Sequence, residues 1–139
     1  MSKRNEEILK KALSPELGLQ LFRNLLETTT DAIYFKDLDS RFIRMSERQA
    51  RSFGLKHADE GIGCDDTDFF TAEHSQQARH DEQLIIQTGM PLTDKEEMET
   101  WPDGRVTWVS TSKMPLRDDH GRIIGTFGIS RDITARKLA

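Results

Sequence analysis

The stretch WPDGRVTWVSTSKMPLRDDHGRIIGTFGISRDIT (residues 101–134) holds two turn words, Pro102-Asp103-Gly104 and Asp118-Asp119-His120-Gly121, each set between runs that alternate at a period of two. Proline pre-sets the backbone for a turn and glycine accepts the positive φ that ends one, so both words predict β-hairpins. Together with LTDKEEMETW before them, they give three consecutive antiparallel strands over 92–101, 105–116 and 122–130. The third strand meets no turn word. It runs into Asp132-Ile133-Thr134 and a charged, helix-prone tail, where side-chain oxygens of Asp132 and Thr134 are expected to cap a helix start, a contribution of about 1 kcal/mol.

Upstream, the period is that of helices. Residues 4–13 read as one helix, and Ser14 caps a second with Pro15 at its first position. Leu17, Leu21, Phe22, Leu25 and Leu26 recur at three and four along it, a stripe with too much apolar surface to stay wet. DAIYFKDLDSRFIRM (31–45) is a hairpin around residues 37–40, and Ser46 caps a short helix ending near Gly54. Residues 57–72 have no sustained period and read as loops with one-turn helices. A helix over 73–88 ends at Gly89 and Pro91, with Ala78, Leu84, Ile85 and His80 taken as its core side. Helix, two strands, short helices, a long helix and three strands make an α+β domain with one five-stranded antiparallel sheet.

Bulk composition narrows the function. A chain of 139 residues fits one domain. With 24 acidic against 20 basic residues and no basic block, nucleic acid is not expected as a partner. No apolar run nears the ~18 residues of a membrane span and the N-terminus is too charged for a signal peptide, so no membrane contact and a cytoplasmic location are expected. The single cysteine, Cys64, excludes an internal disulfide and a cysteine-rich zinc site. Four histidines and one cysteine supply no nucleophile, base and anion-stabilising group together, so catalytic residues are expected to be none. The acidic words DKEEMET and CDDTD read as solvated surface: Glu97 and Glu99 face one way on their strand and Glu96 and Met98 the other, and the second word lacks calcium-loop spacing.

DAIYFKDLDSRFIRMS, GIGCDDTDFF, DEQLIIQTGMPL and the 101–134 array resemble, in that order, the PAS family of sensory domains across about residues 25–134. The resemblance implies a sheet of order two, one, five, four, three, with short helices on one face, an N-terminal helix outside it and a cavity between sheet and helices. It implies residues 1–28 as a flanking helical segment, 29–131 as the sensory domain and 132–139 as the start of a connector helix. It also implies a sensor in two-component-type signal transduction, upstream of a histidine kinase or diguanylate cyclase, with Asp132 and Thr134 as the rigid joint. Ser46 stands where many members carry asparagine and Cys64 where many carry lysine; Ser46 keeps a capping oxygen.

Three further expectations follow. The N-terminal stripe, Leu17, Leu21, Phe22 and Leu25, is expected both to pack on its own sheet and to form a homodimer contact. On the strand over 105–116, Val106, Trp108, Ser110, Ser112 and Met114 share one face and Thr107, Val109, Thr111 and Lys113 the other; alternation does not decide which faces the cavity. With the first set inward, a small-molecule pocket gathers Trp108, Ser110, Ser112, Met114, Phe127, Ile129, Leu84 and His80; a filled core is the competing reading. No cofactor is expected. His80 is the better-placed of two helical histidines for haem, but no CxxCH is present. A flavin adduct is disfavoured because Cys64 has acidic neighbours.

Overall fold

A computed structural model describes residues 2–139. Two helices, α1 (Lys3–Ala12) and α2 (Pro15–Thr28), precede a hairpin of β1 (Ala32–Asp37) and β2 (Phe42–Met45). Then come α3 (Glu47–Ser52), two 3₁₀ turns (Ala58–Gly61 and Asp66–Asp68), α4 (Ala72–Thr88), the strands β3 (Leu92–Thr100), β4 (Val106–Arg117) and β5 (Ile123–Asp132), and α5 (Thr134–Leu138). The five strands form one antiparallel sheet of order β2-β1-β5-β4-β3, as the resemblance implies.

Local chemistry sets the boundaries. Ser14, Ser46 and Thr71 sit in extended backbone and accept from the amides of Leu17, Gln49 and His74, capping α2, α3 and α4. Gly89 ends α4 at φ 72°, and Gly104 and Gly121 close the two hairpins at φ 90° and 78°. Tyr34, Phe42, Met45 and Ala50 make an apolar cluster under α3, flanked by Phe53, Phe69 and Cys64. Burial and the nearby Asp68 and Asp65 raise the Cys64 thiol, in keeping with an unreactive cysteine.

The register decides which residues face inward. Tyr34 pairs with Gly128, Lys36 with Thr126, Thr111 with Ser130 and Lys113 with Gly128, so these side chains share the face covered by α3 and α4. The opposite face carries Phe35, Phe127 and Met114, and Phe22 of α2 meets Phe35 edge-on at 5.4 Å. The N-terminal stripe therefore divides. Phe22 and Leu26 turn to the sheet, Leu17 is half-buried, and Leu21 and Leu25 are 60% and 52% exposed.

Candidate functional site

The inner face of the sheet is charged. Lys36 of β1 and Lys113 of β4, 2% and 4% exposed, reach one carboxylate oxygen, Glu82 Oε2 of α4, at 2.8 and 2.6 Å. Lys36 Nζ also donates to Asp66 Oδ2 at 2.7 Å. Two ammonium groups and two carboxylates thus balance with little solvent, the condition under which buried charge is tolerated. Burial alone would push Glu82 up, but Lys113 and Lys36 together outweigh it and hold its carboxyl at about 2. Burial pulls Lys113 down, and the carboxylate of Glu82 with its neighbours more than reverses this. Glu82 Oε1 is buried without a partner among the described residues.

These lysines wall a cavity of about 20 Å³, room for a single water, between the sheet, α3, α4 and the second 3₁₀ turn. Phe42, Phe70 and Tyr34 supply its apolar wall, and His74, Glu97 and Glu99 its titratable one. Tyr34 Oη, Ser130 Oγ and Thr111 Oγ1 form a hydrogen-bonded chain at 3.1 and 2.9 Å across the sheet. Burial raises the Tyr34 phenol and lowers the His74 imidazole, so both stand neutral near pH 7. Burial likewise pushes Glu99 up to about 7, partly opposed by the hydrogen bond from Thr107 and helped by Glu97, Asp132 and Asp66.

The eight expected pocket residues lie elsewhere. Trp108, Ser110, Ser112 and Met114 occupy the other face of β4, where Ser112 pairs with Ile129 and Met114 with Phe127. The whole set follows from the register, because a period of two sends all or none of it inward. His80 and Leu84 are exposed on α4, whose buried stripe is His74, Ala78, Asp81, Glu82 and Ile85. His80 therefore points away from the cavity, and a ring the size of haem has no room there. The acidic words also depart from a solvated surface: Asp66 is buried, and Glu97 and Glu99 line the cavity. A signal for this was present in α4, where Asp81 and Glu82 fall on the stripe of Ala78 and Ile85 at helical spacing.

At the far end of β5, Asp132 Oδ1 accepts from the amide of Thr134 at 2.8 Å, one residue ahead of the helix boundary at Ile133. Thr134 Oγ1 accepts from the amide of Trp108 at 2.9 Å, and the Ile133 amide donates to the Trp108 carbonyl at 2.8 Å. Beyond the joint, Arg136 and Lys137 pair with Glu96 of β3, and Lys137 Nζ lies 4.9 Å from the centre of the Trp108 ring. Asp132 and Thr134 thus tie the start of α5 to β4, one of the strands that walls the cavity.

A five-stranded antiparallel sheet folded around a charged internal cavity, with its last strand passing through an Asp-Ile-Thr joint into a helix whose Thr134 hydroxyl is tied to β4 rather than capping the helix, defines a domain of the PAS class. The chain belongs to that family: the family model for the PAS fold matches residues 26–138. It is similar to the methanogenesis regulatory histidine kinase FilI of Methanothrix harundinacea, 34% identical over 118 residues that make up 85% of this chain and 13% of that protein. The Vibrio cholera VqmA of a ligand–DNA complex matches with TM-score 0.72 and 26% identity, over 83% of this chain and 50% of that one. A PAS domain from Colwellia psychrerythraea matches in fold, with TM-score 0.69 and 20% identity, over 85% of this chain and 98% of that one. The chain therefore spans a small part of the curated relative and half of the VqmA chain. No described helix is long and apolar enough to cross a membrane.

Proposed function

We propose that this chain is the sensory module of a signal-transduction protein. It detects a small molecule bound beside the charged cavity and passes the change through the Asp132–Thr134 joint to a downstream effector, a histidine kinase or a diguanylate cyclase. Its role is regulatory rather than catalytic. The observation that carries the reading is the buried ring of Lys36, Asp66, Glu82 and Lys113 at a void, with one oxygen of Glu82 unpartnered. A core built for stability alone gains more from apolar side chains of the same volume, since desolvating four charges cancels much of their attraction. The similar regulatory kinase and the ligand complex of VqmA support the same class of role.

The domain acts as a homodimer in this reading, through Leu17, Leu21, Phe22 and Leu25 of α2 and the apolar outer face of the sheet. Native mass spectrometry of protein purified without denaturation, with an absorption spectrum of the same sample, tests the proposal. A dimer carrying a stoichiometric small-molecule mass is the expected result. A second reading, a ligand-free dimerisation module, is favoured by the small volume of the cavity and by the exposure of Leu21 and Leu25. A dimer of bare polypeptide mass, unchanged by cell extract of low molecular weight, would select it.

A further inference from the structure

A second void, of about 120 Å³, adjoins the charged cavity and shares Gln49, Glu99 and Ser130 with it as walls. The two voids are walled by these same three side chains, and the outer one lies beside Asp132 of the output joint. Resting on the reading of this space as a ligand site, we propose that its ligand is a small monocarboxylic acid. The carboxylate lies between Arg48 of α3 and Arg105 of the β3–β4 hairpin, next to Glu99, and the hydrocarbon tail lies against Trp101 and Val109.

Three observations converge on that class. Both arginines wall the outer void, Arg105 with its side chain half exposed, and neither guanidinium has a carboxylate within ordinary hydrogen-bond distance among the described residues. Arg105 approaches only exposed Asp103, at 3.9 Å, and lies 4.3 Å from the centre of the Trp101 ring. A guanidinium is a planar fork of donors matched to a carboxylate or a phosphate, so two without a hydrogen-bonded carboxylate beside a void favour an oxyanion there.

The charges of the chamber also fit a monoanion. Arg48 and Arg105 are balanced once by Asp132, leaving one positive charge when Glu99 is protonated and none when it is ionised. A phosphate dianion would overshoot this balance beside Asp132. Glu99 is placed to respond. Thr107 Oγ1 accepts from Trp101 Nε1 at 2.9 Å and donates to Glu99 Oε1 at 2.8 Å, which leaves Glu99 Oε2 as the oxygen that carries a proton and donates it to an incoming anion. The volume of about 120 Å³, six times that of the inner cavity, gives room for a small acid.

The charged and titratable groups around Glu99 set the sign of the pH dependence. Burial raises it towards 7, helped by Glu97 on its own strand, Asp132 on β5 and Asp66 in the 3₁₀ turn and partly opposed by the hydrogen bond from Thr107. His74 of α4, Lys113 of β4, and Arg48 and Arg105 complete the shell. A bound carboxylate favours protonated Glu99, so binding takes up a proton. Affinity is greatest below pH 7 and falls as pH rises through it, by at most tenfold per unit.

Calorimetric titration of the full chain with butyrate, butyramide and n-butylamine at pH 6 and pH 8 tests the proposal. Butyrate is expected to bind several-fold, up to about tenfold, more tightly at pH 6 than at pH 8, and about tenfold more tightly than butyramide or butylamine at pH 6. Arg48→Gln and Arg105→Gln are each expected to weaken butyrate about tenfold with unchanged unfolding midpoints, and Glu99→Gln to keep binding while removing its pH dependence. Equal binding of butyrate and butyramide, or butyrate binding indifferent to both arginine variants, overturns the carboxylate class and leaves the cavity reading standing. No binding by any probe also overturns it, and the mass of the natively purified protein then judges the cavity reading separately.

Discussion

The two faces of the sheet invert the usual distribution of polarity. The face under α3 and α4 carries Lys36, Lys113, Thr111, Thr126 and Ser130 beside the apolar Tyr34 and Val109, all nearly or fully buried. The other face carries Phe35, Met98, Trp108, Met114, Phe127 and Ile129, of which Met98 and Ile129 are 46% and 43% exposed. A sheet that served only to make a core would place these sets the other way round. Charge inside with apolar surface outside suits a domain with a polar site within and a partner without.

Replacing Glu82 puts the inner face under the most stress. Glu82→Gln leaves Lys36 and Lys113 facing Asp66 alone, and the loss is expected to be about 3–5 kcal/mol in urea-induced unfolding at pH 7. If the loss stays under about 1 kcal/mol, the ring is not the buried unit described.

The same face predicts how stability depends on pH, with opposite signs at two glutamates. Glu82 is held at about 2, below its ordinary value, so its contribution is present above the ordinary carboxylate range and is lost as pH falls towards 2. Glu99 is raised to about 7, so the folded chain binds more protons than the unfolded one between the ordinary range and pH 7, and stability falls as pH rises through that window. Glu99→Gln removes that fall. It should stabilise by up to about 3 kcal/mol at pH 8 and by little at pH 4.5, measured as paired unfolding curves.

Steric fit on the inner face gives a smaller effect. A Cβ at Gly128 would stand 2.6 Å from the Tyr34 ring, and the Tyr34 hydroxyl is tied to Ser130. Gly128→Ala should cost about 1–3 kcal/mol in thermal or urea unfolding. The outer face is predicted to respond least. Ile129→Lys should change the unfolding free energy of the monomer by under about 0.5 kcal/mol while weakening the proposed dimer in sedimentation velocity. A large loss of monomer stability there would mean that the outer face is core after all.

This inversion marks how much the residues alone disclosed. Turn words are local, so Pro102-Asp103-Gly104 and Asp118-Asp119-His120-Gly121 located the hairpins, and the serine caps Ser14 and Ser46 located the starts of α2 and α3. The face of β4 was a different matter. Val106, Trp108 and Met114 alternate with Thr107, Thr111 and Lys113, and hydropathy favours burying the first set. Register, set by pairing with β5, buries the second. Lys36 and Lys113 become tolerable inside only because Asp66 and Glu82 arrive from elements 30 and 31 residues away in sequence, and a reading of single segments does not see such partners.

The ammonium groups of Lys36 and Lys113 test this inversion most directly, by ¹⁵N–¹H spectroscopy of lysine side chains at pH 7. Held at 2.6–2.8 Å by Glu82 and shielded from water, both should give resolved signals in slow exchange, and Glu82→Gln should disturb both at once. Exchange at those two lysines as fast as at exposed Lys10 would contradict the account.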